Sequence, residues 1–275
     1  MSNSPRRAAP ANACDCHIHV YDDRFPALAG NAPPHRPAAD YRLAQKRIGT
    51  TRTVVVTPRP YVTDSRCTLD AIAQLGAAVT RGIAVLHPTV TDAELKKLAD
   101  GGIRGIRFTL GNPAVAVTTV DMIEPLAKRI NDLGWHVQLN MRGDQIVENA
   151  DLLMRIDSPI VFDHMAGLPQ PEGIRHAAFQ VVRRLLDKGR TWVKLTSVGY
   201  SDDAADSIGE VAGAFISAAP ERMLWGSDWP HGNKKEMPDD RVLFDRLAQW
   251  APDEPTWRRI LVDNPQTLYG FDESV

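Results

Sequence analysis

The chain has 275 residues, of which 43% are hydrophobic and 24% are charged, and its formal net charge at pH 7 is −2. This composition is typical of a globular protein, and so small a net charge gives no strong field to attract nucleic acid or an anionic membrane. Three cysteines in a chain of this length exclude a disulfide scaffold, and no run approaches the roughly 18 apolar residues of a membrane span. We therefore expect a soluble cytoplasmic protein.

Residues 1–12 contain two arginines and no apolar segment, so they predict a flexible N-terminus rather than a secretory signal. From residue 13 to residue 275, short apolar runs alternate with amphipathic stretches. Eight of these runs predict strands, at 13–21, 53–57, 82–87, 103–109, 136–140, 160–164, 192–196 and 223–227. Most are continuously apolar, as at Thr53-Val54-Val55-Val56, which is typical of parallel strands buried on both faces.

The amphipathic stretches between these runs predict helices, for example at 91–99, 121–133, 175–188 and 203–217. Eight strands with interleaved helices predict a single-domain, slightly distorted (β/α)8 TIM barrel across residues 13–275. An open eight-stranded sheet is the alternative. The segment 23–37 is rich in Pro, Ala and Gly and predicts a long loop after the first strand. This loop is a candidate flap over the barrel mouth.

Histidines and an aspartate follow three of the predicted strands at their carboxyl ends, the face where barrel enzymes carry their active sites. Because residues two apart on a strand share a face, His17 and His19 point the same way. Paired imidazoles suit a metal ion or a polarised carbonyl oxygen. His164 ends the sixth predicted strand and Asp228 follows the eighth. We predict one catalytic site from these four residues, with a hydrogen-bonded structural network as the alternative.

Several motifs together are specific to one group of enzymes: CDCHIH (14–19), GIRF (105–108), FDHM (162–165), WGSDWPH (225–231), and NP (264–265) with LYG (268–270). On these motifs the chain resembles the amidohydrolase superfamily. Within it, the chain is similar to the branch that includes 2-pyrone-4,6-dicarboxylate lactonase and D-galactarolactone isomerase. The resemblance covers nearly the whole chain. It implies a hydrolase that acts on a carboxylated lactone, such as a sugar-acid lactone or a pyrone dicarboxylate, in carbohydrate-acid metabolism.

The chain departs from the binuclear members of that superfamily, which hold two metals with a fourth-strand Lys or Glu and a fifth-strand His. Here the fourth strand carries Arg107, the fifth ends at Asn140, and Lys194 lies on the seventh strand. One divalent ion, Zn or Mn, remains chemically sound on the set His17, His19, His164 and Asp228. The resemblance implies a branch that hydrolyses lactones without metal, so we expect no metal cofactor.

These residues predict a mechanism in which Asp228 takes a proton from water while His17, His19 and His164 polarise the ester carbonyl. If a substrate hydroxyl replaces water, the ring ester migrates and the enzyme is a lactone isomerase. Another alternative is a mononuclear metal-dependent decarboxylase. A non-catalytic binding module on the same barrel is the third, although binding alone does not need the Asp228 base.

Other polar residues near the strand ends are candidate substrate contacts. Arg107 suits a substrate carboxylate, or else it pairs with an acid of a neighbouring strand. The remaining candidates follow the second, fifth and eighth strands, each with a loop or capping role as the alternative: Thr57, Arg59, Tyr61, Arg66, Asn140, Arg142 and His231.

Overall fold

A computed structural model describes residues 5–30, 34–196, 205–232 and 237–271 of the chain. Eight strands form one sheet in chain order, and each strand pairs in parallel with the next. The strands are β1 Cys14–Ile18, β2 Arg52–Val56, β3 Thr80–Ala84, β4 Ile103–Thr109, β5 His136–Asn140, β6 Ile160–Phe162, β7 Thr191–Leu195 and β8 Met223–Trp225.

The first and last strands meet through a parallel bridge between Ile18 and Trp229, and the His19 N–H donates to the Trp229 carbonyl at 2.7 Å. This contact brings the two edges of the sheet together, which an open sheet would not do. The predicted TIM barrel is therefore confirmed.

Helices cover the outside of the barrel: α1 Ala38–Ile48, α2 Arg66–Leu75, α3 Asp92–Asp100, α4 Ile123–Asn131, α5 Gly143–Glu148, α6 Ala150–Arg155, α7 Ala177–Asp187, α8 Ala205–Ala218, α9 Asp240–Trp250, α10 Glu254–Arg258 and α11 Asn264–Tyr269. Thr91 caps the N-terminus of α3, because its hydroxyl accepts from the Glu94 N–H while the Glu94 carboxylate accepts from the Thr91 N–H. The predicted helices at 121–133 and 175–188 correspond to α4 and α7. The predicted start of α8, at 203, lies outside the described residues.

Aromatic residues of the C-terminal segment pack at the end of the barrel where the strands begin. The Tyr269 ring contacts the ring of His136, at the start of β5, with centroids 5.5 Å apart. The guanidinium groups of Arg52 and Arg81 each lie 5.0 Å from the centre of the Phe271 ring. Because this end is filled, the opposite end, where the strands finish, is left for a binding site.

At the start of the described chain, the Arg7 guanidinium lies 4.5 Å from the centre of the Trp257 ring and donates to the Ala251 carbonyl.

Cys14, Cys16 and Cys67 are free and buried thiols. Among the described residues, no helix has both the length and the apolar character that crossing a bilayer requires.

Candidate active site

The two histidines of the first strand lie side by side at its carboxyl end. His17 is fully buried, His19 is slightly exposed, and their Nε2 atoms are 3.3 Å apart. The Nδ1 atom of His19 lies 2.8 Å from the Val56 carbonyl oxygen. A carbonyl can only accept, so the His19 proton is on Nδ1 and its Nε2 lone pair faces the site. Pairing with β2 thus fixes the tautomer of His19.

Asp228 reaches the same point from the end of β8. Its Oδ1 atom lies 3.5 Å from His17 Nε2 and 3.6 Å from His19 Nε2. The Asp228 N–H donates to the His17 carbonyl at 2.8 Å, and the residue has a left-handed φ of 64°. A methyl group at Gly226 would lie 2.6 Å from the His17 side chain, so glycine is needed for the close approach of β8 to β1.

His164 follows β6 on a turn of unusual backbone conformation. Residues 164 to 167 have φ values of 49°, 52°, 59° and 57°, so four consecutive residues are left-handed. Such residues cost about 1–2 kcal/mol each and persist only where the surroundings enforce them. Gly167 is essential here, because a methyl group at this position would collide with the Met141 carbonyl. The turn brings the His164 ring to 5.2 Å from the His17 ring, between centroids.

Beneath these residues lies a fully buried carboxylate, Asp163. Its Oδ2 atom accepts from Arg107 Nε at 2.9 Å and from Gln138 Nε2 at 3.2 Å. Its Oδ1 atom lies 3.2 Å from His17 Nδ1 and 3.6 Å from Lys194 Nζ. Lys194, also fully buried, donates to Gln138 Oε1 at 2.8 Å and lies 3.3 Å from His17 Nδ1. The interior of the barrel under the histidines is therefore a charged network.

This network sets the protonation of the site. Burial, with the nearby charge of Lys194, lowers the pKa of His17 well below its usual value, and burial lowers the pKa of His19 to about 4. Burial alone would raise the pKa of Asp228, but the facing histidines, His164 first, outweigh it and lower that pKa. At neutral pH the site therefore holds neutral His17 and His19 beside an ionised Asp228.

A cavity of about 520 Å³ opens above Asp228 at the carboxyl ends of the strands. Its polar lining includes side chains from several loops: His19, Tyr21, Arg36, Arg59, Arg107, Thr109, Asn140, His164, Asp228 and His231. Asp228 is the one carboxylate among the described lining residues. Burial, with the nearby Asp228, raises the pKa of Tyr21 to about 12, so its hydroxyl stays protonated. The cavity thus presents cationic and neutral donors around a single base.

Four of the predicted substrate contacts reach this cavity, namely Arg59, Arg107, Asn140 and His231. Arg107 lines the cavity and also pairs with the buried Asp163 carboxylate, so the predicted ion pair is present and its contact with a substrate carboxylate stays a prediction. His231 contacts the buried Asp240 carboxylate through Nε2 at 2.7 Å.

The other four predicted contacts do not line the cavity. The Thr57 hydroxyl is buried against the Thr68 hydroxyl, and the Tyr61 hydroxyl accepts from the Asp22 N–H. Arg66 is paired with Asp64 at 2.6 Å beside a separate depression, and Arg142 donates to the Gly111 carbonyl. These side chains hold the loops around the mouth, which is the capping role that the sequence left open.

Sequence reasoning assigned no role in the site to several side chains, namely Tyr21, Arg36, Gln138, Asp163 and Lys194. The first two lie on the segment after β1, where Tyr21 and Arg36 pair through an antiparallel bridge. The last three had a signal, because each is a polar residue within or directly after a buried apolar run. A lysine inside Trp192-Val193-Lys194-Leu195 needs a buried partner.

The spacing of the site residues permits one metal ion. His17, His164 and Asp228 each offer a ligand atom, and these atoms lie within 4.8 Å of one another. The surroundings of His17 do not fit this use. A ligating histidine usually donates its second ring N–H to an acceptor. His17 Nδ1 lies 3.3 Å from the Lys194 ammonium, which can only donate, and Asp163 Oδ1, 3.2 Å away, forms no hydrogen bond of acceptable geometry with the described residues. We therefore derive no catalytic step through a metal.

Comparison with known proteins gives close relatives along the whole chain. A 4-sulfomuconolactone hydrolase from Rhizobium radiobacter is 33% identical, over 96% of this chain and 91% of its own. A 2-pyrone-4,6-dicarboxylate hydrolase from Comamonas testosteroni is 30% identical, over 98% and 94%. A D-galactarolactone isomerase from Agrobacterium fabrum is 29% identical, over 97% and 94%. These relatives are lactone hydrolases and a lactone isomerase.

Solved structures of similar fold point to the same group of enzymes. An apo structure from Agrobacterium tumefaciens has a TM-score of 0.88 at 28% identity, over 98% of this chain and 99% of its own. A probable 2-pyrone-4,6-dicarboxylic acid hydrolase from Acinetobacter baumannii, with citric acid bound, has a TM-score of 0.82 at 26% identity, over 94% and 100%. A more distant amidohydrolase of the same fold, at 17% identity, has bound zinc. The amidohydrolase family model matches residues 14–271. This chain therefore belongs to the amidohydrolase family.

Proposed function

We propose that the chain is a lactonase that opens a carboxylated lactone by hydrolysis, with Asp228 as the general base. The observation that carries this proposal is an ionised carboxylate held between two neutral imidazoles on the floor of a cavity lined by arginines. The relatives named as 4-sulfomuconolactone and 2-pyrone-4,6-dicarboxylate hydrolases support the substrate class.

In the proposed reaction, Asp228 removes a proton from a water molecule as that water attacks the ring carbonyl carbon. The carbonyl becomes a tetrahedral oxyanion, which needs hydrogen-bond donors. When the ring C–O bond breaks, protonated Asp228 returns its proton to the departing alkoxide. The product is the ring-opened hydroxy acid, and Asp228 is again ionised for the next cycle.

The ring nitrogens divide these tasks. His19 presents an unprotonated Nε2, so it accepts a hydrogen bond beside Asp228 and helps to orient the attacking water. His164, on the cavity wall, is placed to donate to the oxyanion. His17 lies directly behind His19 and Asp228, so a carbonyl oxygen that enters between them comes within reach of His17 Nε2. This assignment refines the sequence prediction, in which all three imidazoles polarise the carbonyl.

The charges of the cavity favour a substrate with more than one anionic group. Arg107 is held by Asp163 through Nε and lies at the inner wall, whereas Arg36 and Arg59 lie on the loops. The Arg59 side chain forms no hydrogen bond or ion pair with another described residue. An arginine without a protein partner is available to bind a carboxylate or sulfonate.

A second candidate is lactone isomerisation, which the D-galactarolactone isomerase relative favours. The same residues serve both reactions. If a hydroxyl of the substrate, rather than water, gives its proton to Asp228, the ester bond migrates within the molecule. Net hydrolysis then does not occur, and the product is an isomeric lactone.

The test is proton NMR of the purified protein with a panel of lactones: a pyrone dicarboxylate, a sulfomuconolactone, a muconolactone and a galactarolactone. We expect turnover, fastest with the substrates that carry two anionic groups. A ring-opened acid identifies hydrolysis, and an isomeric lactone identifies isomerisation. Absence of any reaction across the panel would refute the lactone proposal. Activity that requires added zinc or manganese and stops with chelator would favour the metal-dependent alternative.

A further inference from the structure

Lys194 is a fully buried ammonium group inside the barrel, and the proposed chemistry does not use it. It lies on β7, directly below His17. Burying a charged amine costs several kcal/mol unless it is well paired, so such a residue needs a structural or functional reason. Its three closest acceptors are Gln138 Oε1 at 2.8 Å, His17 Nδ1 at 3.3 Å and Asp163 Oδ1 at 3.6 Å.

The direction of the hydrogen bond between Lys194 and His17 follows from chemistry. An ammonium has three N–H donors and no acceptor, so His17 Nδ1 must be the accepting atom. Asp163 Oδ1 also lies close to this nitrogen, at 3.2 Å, but it has no hydrogen bond of acceptable geometry in the described part of the chain. The hydrogen bond of acceptable geometry at His17 Nδ1 is therefore the one that Lys194 donates.

This direction is consistent with the contact between the two histidines and with the contact of His19 with β2. If His17 Nδ1 accepts, its proton must be on Nε2, because a neutral imidazole has one N–H. That N–H points to the His19 Nε2 lone pair at 3.3 Å, and the His19 Nδ1–H donates to the Val56 carbonyl at 2.8 Å. The hydrogen bonds thus run in one direction, from Lys194 through both histidines to β2.

We propose that Lys194 is a positioning residue that holds His17 as the Nε2–H tautomer. In this form the single N–H of His17 lies on the cavity side, near His19 Nε2 and Asp228 Oδ1, where an entering substrate carbonyl can replace His19 as its acceptor. The same form withholds the Nε2 lone pair that a divalent metal would need. The catalytic part of this inference rests on the proposed lactonase function, whereas the tautomer and the metal preference do not.

The direct test is the nitrogen spectrum of the histidine rings, with wild type labelled on imidazole nitrogen and His17 assigned by loss of its signals in His17→Gln. We expect the wild type to carry the His17 proton on Nε2. In Lys194→Met, which removes the donor and keeps most of the length of the side chain, the proton moves to Nδ1, toward Asp163. A wild-type spectrum with the proton on Nδ1 would overturn the proposal even if the variant fails to fold.

The second test is zinc binding, measured by calorimetry on chelator-treated protein without substrate. Lys194→Met frees the His17 Nε2 lone pair, so we expect its zinc affinity to rise at least about tenfold over wild type, and to lose that gain when Asp228→Asn is added. Its kcat/KM on a lactone should fall about 10²-fold, as for loss of one oxyanion donor. Unchanged zinc affinity together with an unchanged tautomer would contradict the role of Lys194.

The matched control is Gln138→Met, which removes another buried polar partner of Lys194 and leaves the contact with His17 in place. We expect this variant to lose thermal stability but to keep the His17 proton on Nε2. If it moves the proton as Lys194→Met does, general loosening of the core explains the result. The nitrogen spectrum and the zinc titration use no substrate, so their outcome is independent of whether lactones are turned over.

Discussion

Asp228→Asn is the sharpest test of the proposed chemistry. The substitution removes the base and keeps the size and shape of the side chain. The left-handed backbone, with φ 64°, suits Asn at least as well as Asp, and the main-chain hydrogen bond to His17 remains. We therefore expect the variant to fold, with a thermal midpoint within a few degrees of wild type.

The expected loss of kcat follows from the surroundings of Asp228. General acid–base catalysis contributes about 10²–10⁴-fold, and this case belongs at the upper end because no second carboxylate lines the cavity among the described residues. Asp228 is the one carboxylate among the described residues that line the cavity, and Asp163 below it is fully buried and engaged by Arg107. At 1.36 kcal/mol for each factor of ten, the loss corresponds to about 4–5 kcal/mol of transition-state stabilisation.

The assay is initial-rate NMR with the lactone that the wild type turns over fastest. KM should change by less than about threefold, because the arginines that would bind the anionic groups are unaltered. The control is Asp64→Asn, whose carboxylate pairs with Arg66 outside the cavity and whose loss should leave kcat unchanged. If Asp228→Asn keeps more than a tenth of the wild-type kcat, Asp228 is not the general base.

Three further variants test recognition and stability. Arg59→Gln should raise KM for a dianionic lactone about 10-fold or more with little change in kcat, whereas Arg66→Gln should change neither; equal effects would contradict the assignment of Arg59. Gly167→Ala should lower the free energy of unfolding in urea by more than about 2 kcal/mol, while Gly213→Ala, which has open space on a helix, should leave it equal or higher. His136 is buried with its pKa lowered to about 3, so the fold favours its neutral form and the unfolded chain binds the proton below about 6.5. Protonation of His136 on unfolding should therefore lower stability by about 2–3 kcal/mol between pH 7 and pH 4.5, in addition to the effect of His17 and His19, and His136→Gln should show a fall smaller by that amount.

The sequence predicted the barrel because hydrophobic periodicity reports burial, and each strand of a parallel barrel is buried on both faces. The predicted ends of the strands are less accurate at the face that carries the candidate site. The first, sixth and eighth strands were extended to residues 21, 164 and 227, whereas they end at Ile18, Phe162 and Trp225. The reason is physical: His164 and Asp228 leave the strands in left-handed conformations that composition does not reveal. These left-handed residues direct the two side chains into the site, and they also end the strands earlier than the sequence predicts.

The charged network under the site shows a different limit of sequence reasoning. A lysine in an apolar strand signals that a partner exists, but it does not say which of the facing strands supplies it. Only the closed barrel brings Lys194 of β7 against His17 of β1 and the carboxylate that follows β6. The sequence alone identifies three histidines and an aspartate that resemble a set of metal ligands. Which nitrogen of His17 carries the proton depends on Lys194, whose position the sequence does not show. The choice between a metal ligand and a hydrogen-bond donor is therefore made by a residue that does not line the cavity.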